Sequence, residues 1–139
     1  MILLDTNVLS ALMSATPDPA VIRWLDSQAP DQVWTTAISV FEIRYGLARL
    51  PPGRRRQSLE AAFADLIAVD LAGRIAPVDQ RAADAAGVLA AEREAAGRPV
   101  DARDTLIAGV ALSRRAEIAT RNARHFSGLD ARVVDPWAP

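Results

Sequence analysis

The sequence predicts a single-domain, three-layer α/β/α sandwich with a central, mostly parallel sheet of four to five strands, spanning residues 1–139. Three observations lead there. Short apolar runs such as Ile2-Leu3-Leu4 alternate with longer stretches of helical periodicity, and strands separated by helices need crossover connections and a sheet covered on both faces. The 139 residues are 50% hydrophobic and 24% charged, which suits one core burying roughly 65–70% of the unfolded surface. No internal repeat, linker or low-complexity tract divides the chain.

The elements follow in order. Residues 2–4 form an apolar strand that stops at Asp5. Val8, Leu9 and Leu12 then recur at helical spacing. Asp18-Pro19 reads as an N-cap followed by proline at the first helical position, with Val21, Ile22 and Leu25 as that helix's apolar stripe. Residues 32–35 form a second strand. A helix over 36–50 carries Val40, Ile43, Leu47 and Leu50 at spacings of three and four, and Pro51-Pro52-Gly53 breaks it. A helix over 59–69, a short strand at 75–78 and a long alanine-rich helix over 79–96 come next. Gly97-Arg98-Pro99 is a stop signal. A helix over 101–115, a strand at 117–120 and a last strand at 132–135 complete the pattern. In such sheets ligands sit beyond the carboxyl ends of the strands.

Composition narrows the chemistry. The chain has no cysteine, and all 16 basic residues are arginine. Disulfides, thiolate nucleophiles, zinc fingers, Schiff bases and the phosphate-loop lysine are therefore excluded. The single histidine, His125, leaves no His-rich metal site. No segment approaches the ~18 apolar residues of a membrane span. The start, Met1-Ile2-Leu3-Leu4-Asp5, lacks a basic region, so a cytoplasmic protein is expected. Net charge is −1, but it is blocky: residues 1–43 carry −4, 44–58 carry +5, 59–113 carry −4 and 114–139 carry +2.

What remains is chemistry of carboxylates, hydroxyls and arginines. Asp5 ends the first strand, where it either caps the next helix or faces the binding edge. Glu42 lies in a largely apolar stretch of helix, where a lone carboxylate is costly unless paired or metal-bound. Its alternative is a surface pair with Arg49 or another arginine. Asp101 and Asp104 flank a helix start, where N-capping accounts for one more easily than for both. Asn122 closes the fourth strand as a loop residue or a neutral oxygen ligand. All of these fall at or just after strand ends, or on adjoining helices. Converging carboxylates do not stay ionised without cations, oxygen-only ligands favour magnesium or manganese, and such a cluster suits phosphodiester hydrolysis.

These blocks resemble a known family. Asp5-Thr6-Asn7-Val8 after a strand, Glu42 in the helix after the second strand, Asp104-Thr105-Leu106-Ile107-Ala108, and Thr120-Arg121-Asn122-Ala123-Arg124-His125-Phe126 look like a PIN domain of the VapC toxin type. Val133-Val134-Asp135-Pro136-Trp137 looks most like its FitB branch. The resemblance covers the whole chain. It implies a magnesium-dependent endoribonuclease, with manganese as a substitute, that serves as the toxin of a toxin–antitoxin pair. It implies an RNA substrate, a cognate antitoxin, DNA contact only through that antitoxin, a homodimer and no membrane.

By the same resemblance the catalytic set is Asp5, Glu42, Asp104 and Asn122, with Asp5 and Asp104 as metal ligands. Thr6 and Thr120 match hydroxyl positions that support them, and Asp101 is a further supporting candidate. Independently of the resemblance, Arg121 and Arg124 are expected to line the path of the RNA backbone, because arginine pairs with phosphate through two donors. Two positions depart from the family pattern: Asn122 replaces a frequent aspartate, and His125 replaces the aspartate common before the phenylalanine. Intact Asp5, Glu42 and Asp104 favour the ribonuclease, while these two departures lend some weight to a competing reading, a weakly active or inactive subunit working mainly in an antitoxin-mediated DNA-binding repressor complex. The antitoxin is expected to place a basic side chain against Asp5, Glu42 or Asp104 and apolar residues over Ile43, Leu47, Leu50, Leu59 and Phe63.

Overall fold

In the computed structural model, which describes residues 1–139, five strands form one sheet: β1 (Ile2–Leu4), β2 (Val33–Thr36), β3 (Ile75–Ala76), β4 (Glu117–Ala119) and β5 (Val133–Val134). Their order is β3-β2-β1-β4-β5, and every pairing is parallel. The sheet is thus wholly parallel, with β1 at its centre. The chain moves outward to β2 and β3, then returns to the other side of β1. That reversal lies between β1 and β4, and it opens a crevice at their carboxyl ends.

Six α-helices cover the sheet: α1 (Thr6–Met13), α2 (Pro19–Asp26), α3 (Ala37–Ala48), α4 (Arg54–Asp65), α5 (Gln80–Ala95) and α6 (Ala102–Arg114). Strand alternation divides the core in two. Ile2 and Leu4 point to one face and join Val8, Leu9, Val21, Trp24, Ile43, Leu47 and Phe63 from α1 to α4. Leu3 and Ile118 point to the other and join Ala82, Ile107, Ala108 and Val110 from α5 and α6. This is the three-layer sandwich expected.

The capping signals hold. Asp18 accepts from the Ala20 amide with Pro19 at the first helical position, and Asp101 caps α6. Asp79, expected as the first residue of its helix, is the N-cap of α5. Several boundaries shift by one or two residues, as for β3, which ends at Ala76 rather than 78, and one shifts further. The fourth helix begins at Arg54, not near 59. Its first turn buries nothing and so shows no apolar periodicity, but Arg56 and Glu60 form an i,i+4 ion pair of 2.6 Å that supports it. Past Asp65 the helix widens into a π-helical turn, Leu66–Asp70. Helices α5 and α6 pack closely because Gly109 presents only hydrogen to α5. A Cβ there would meet the Ala82 carbonyl oxygen and lie 2.7 Å from Ala86 Cβ.

Candidate active site

The site is assembled where β1 and β4 end. Asp5 follows β1 and is only 4% exposed. Both readings of this residue hold at once. Oδ1 accepts from the Thr6 amide at 2.8 Å as the N-cap of α1. Oδ2 accepts from the Thr120 hydroxyl at 2.7 Å and from Asn7 Nδ2 at 3.3 Å. Thr120 is fully buried just after β4, and its oxygen also accepts from Asn7 Nδ2 and the Asn122 amide. Asn7 Oδ1 in turn accepts from the Arg121 amide. A small buried network therefore ties the β1 end to the β4 end, and it needs both strands in register to exist.

Two more carboxylates come close. Glu42, on α3, and Asp104, in the first turn of α6, each keep about a fifth of the side chain exposed. Burial pushes the Asp5 carboxyl above the usual aspartate range. The Thr120 and Thr6 hydrogen bonds oppose the shift, the Asp104 charge adds to it and His125 offsets it. Burial raises Glu42 as well, with Arg103 lowering it and the charges of Asp5 and Asp104 raising it. The Thr6 hydroxyl is near enough to favour the charged form of Glu42. Its Oγ1 is nevertheless buried without a hydrogen bond of good geometry, and that geometry governs here. Three mutually repelling carboxylates and an unsatisfied hydroxyl oxygen share one crevice.

The supporting groups differ partly from expectation. Glu42 faces Arg103 Nη1 at 3.9 Å, not Arg49, whose guanidinium lies over the Tyr45 ring instead. Asp101 is half exposed and binds Arg103 at 3.2 Å, so it reaches the site only through that arginine, which also holds its carboxyl below the usual range. Asn122 is exposed at the site's rim. His125 donates from Nδ1 to Asp104 Oδ2 at 3.0 Å. Of the two arginines expected to meet RNA, Arg124 is exposed beside His125, while Arg121 stacks on the Trp137 ring at 4.8 Å.

Sequence reasoning missed Arg103, Asn7 as a bridge, and the Asp104–His125 bond. Only Asn7 carried a local signal, its place in the Asp5-Thr6-Asn7 block. The apolar surface expected to receive an antitoxin is also corrected. Ile43, Leu47 and Phe63 are buried in this chain's own core, because their spacing marks the face of α3 and α4 that meets the sheet. The exposed apolar residues of α3 are Phe41 and Tyr45, stacked at 6.2 Å.

The donor set fits a hard divalent cation, since every group is oxygen and two carboxyls are strained by burial. No three acidic or histidine side chains already form a cage around one point. A divalent ion there would be held by carboxylate oxygens rather than by a preformed cage.

Comparison with known proteins bears on what this crevice does. The family model described as PIN domain matches residues 2–131. The chain is 36% identical over 139 residues to VapC ribonuclease Y4jK of Sinorhizobium fredii, covering 100% of this chain and 99% of that one. It is 35% identical over 137 residues to toxin FitB of Neisseria gonorrhoeae, covering 99% of each. Its fold superposes on a chain from the structure of FitAB bound to an IR36 DNA fragment with a TM-score of 0.89 at 34% identity, covering 100% of this chain and 97% of that one.

Proposed function

The chain belongs to the PIN-domain family, and from that premise we propose that it is the toxin of a toxin–antitoxin pair, an endoribonuclease whose active site is the crevice at the ends of β1 and β4. The observation that carries this reading is the Asp5 carboxyl, raised chiefly by its burial, with the Asp104 charge adding to the shift, and held by Thr120 and Thr6. A carboxylate kept in so unfavourable a place is best explained by a cation that it serves.

PIN nucleases generally depend on a divalent metal, and the oxygen-only donors support magnesium here, with manganese as a substitute. A divalent ion bound at this crevice supplies an activated water and charge for the leaving oxygen. The chain's own residues do the rest. Asp5 and Asp104 would hold the ion, Thr120 and Asn7 fix the direction of the Asp5 carboxylate, and His125 fixes that of Asp104. Glu42 adds negative charge to the crevice, offset by Arg103 at 3.9 Å. Asn122 offers a neutral oxygen at the rim. Arg121 and Arg124 stand where the phosphate backbone enters.

Relatives point to the partners. The FitAB structure is bound to DNA, and a related structure of FitAcB comes from Neisseria gonorrhoeae. This chain has a cognate antitoxin, and it meets DNA through that antitoxin. The homodimer and the use of residues 1–139 as a single domain belong to the same proposal. No helix is long and apolar enough to cross a membrane, and a cytoplasmic place suits a protein that cuts RNA. Incubating the purified chain with defined structured RNAs in magnesium, manganese or chelator tests the reading. Cleavage in either metal and none in chelator is expected. Tight antitoxin and operator binding with no cleavage in any condition would favour the repressor-subunit alternative, which Asn122 and His125 motivate.

A further inference from the structure

Beside the acidic crevice lies a groove of about 580 Å³, between the end of α5, the 97–100 loop and the 3-10 turn Ala123–Phe126. Its charged lining is Arg93, Arg98, Arg124 and His125, with Glu92 as the one carboxylate. The Arg98 amide donates to the Arg93 carbonyl at 2.9 Å, which keeps those two arginines at the same end. Four arginines of the chain have acidic partners: Arg56 has Glu60, Arg103 has Asp101 and Glu42, Arg114 has Asp79, and Arg132 has Glu117. The three groove arginines are among the other twelve of the 16, and what sets them apart is that they line one groove together. Arg93 Nη1 is moreover buried with no hydrogen-bond partner, and a buried charged donor costs free energy unless an acceptor meets it.

His125 links this groove to the acidic site, since it forms part of the wall and bonds to Asp104 at 3.0 Å. We propose that the groove is a subsite for the RNA backbone, taking the phosphate next to the cleaved bond on Arg93, Arg98 and Arg124. The proposal rests on the ribonuclease reading above. Guanidinium groups recognise phosphate through paired N–H donors. The volume falls within the roughly 300–1,000 Å³ of small-ligand sites, enough for a nucleotide, and Leu89 and Val100 add an apolar lining for sugar or base. A positive groove running into a negative crevice matches a polyanion whose scissile phosphate sits over the carboxylates and their cation, with the neighbouring phosphate on the arginines.

The test is binding of a short labelled oligouridylate, read by fluorescence anisotropy in chelator over a series of salt concentrations. Arg98→Gln/Arg124→Gln is the main variant, since both side chains are exposed and neither supports the fold. Arg93→Gln is the second, and Arg132→Gln, outside the groove, is the control for net charge. The double variant should bind ~10-fold more weakly, and its salt slope should shrink by about 0.7 per lost phosphate contact. Arg132→Gln should change neither. Equal losses in the control, or an unchanged slope in the groove variants, would overturn the proposal. So would inorganic phosphate alone binding as tightly as the oligonucleotide, or groove variants that keep RNA affinity and lose only the antitoxin. Because binding is read without metal, a chain that grips RNA through this groove and never cuts it contradicts the ribonuclease reading alone. A chain that cuts RNA with groove-independent binding contradicts the groove alone.

Discussion

The Thr120 hydroxyl donates to Asp5 Oδ2 at 2.7 Å across 115 positions of sequence. Neither residue could be held this way by its own element. The bond exists because β1 and β4 are paired in register, with Leu4 opposite Ala119, so that the next residue of each strand meets at the edge.

Replacing Thr120 with valine keeps the shape and removes the oxygen that serves Asp5, Asn7 and Asn122. The loss should cost about 1–3 kcal/mol, because a buried carboxylate and an amide are left short of partners. Thr120→Ser should recover most of it. Urea unfolding of the three proteins measures this, and a valine variant as stable as the parent would show the network to be idle.

The raised Asp5 carboxyl gives a pH dependence of definite sign. When a folded-state carboxyl lies above its unfolded value, the folded chain binds more protons between the two, and stability falls as pH rises through that window. The cost is absent below the unfolded value and complete above the folded one. In metal-free protein, Asp5→Asn should therefore lose this part of the pH dependence, and its stability relative to the parent should be most favourable near neutral pH. Saturating magnesium should erase the difference by stabilising the parent. Urea midpoints across acid to neutral pH, with and without metal, are the readout, and parallel profiles for the two proteins would contradict it.

Arg103 is the built-in counter-ion of Glu42. Arg103→Gln should tighten manganese binding in calorimetry, since one competing cation leaves the crevice. It should change stability little, because the side chain is half exposed and its pairs lie near water. Weaker metal binding in the variant would instead make Arg103 a positioning group for Glu42.

Gly109 tests the close packing of α6, the helix that carries Asp104, against α5. Gly109→Ala pushes a methyl group toward the Ala82 carbonyl and Ala86, and overpacking of this kind typically costs about 1–3 kcal/mol. Since α6 carries Asp104, metal affinity should fall with stability. Thermal melting and metal titration of Gly109→Ala together check both effects.

The layers were legible in the sequence because buried parallel strands and helix caps are local signals: Ile2-Leu3-Leu4, Asp18-Pro19 and Asp101 each need only their neighbours. The start of α4 was not, because the Arg54–Gln57 turn is exposed and has no apolar stripe to betray it. The acidic blocks were legible as a set, since each sits at an element boundary. Their partners were not. The bond from His125 to Asp104 depends on where the 3-10 turn after β4 falls against α6, and the pair of Glu42 with Arg103 depends on how α3 meets α6. Such partnerships are set by the sheet order, which no local window contains. The same limit explains why Ile43, Leu47 and Phe63 were expected to receive a partner: periodicity identifies an apolar face without saying whether the chain's own core or another protein covers it.

The most direct test compares RNA cleavage by the parent chain, Asp5→Ala and Asp104→Ala in magnesium, expressed per folded molecule after circular dichroism and melting curves have fixed the folded fraction. The account predicts that both variants stay folded and lose essentially all cleavage, because each removes a carboxylate from a like-charged cluster that serves a cation. Variants that melt sharply earlier yet cut RNA at the parent's rate per folded molecule would contradict it, and would leave Asp5 and Asp104 as helix-terminal residues with no part in the chemistry.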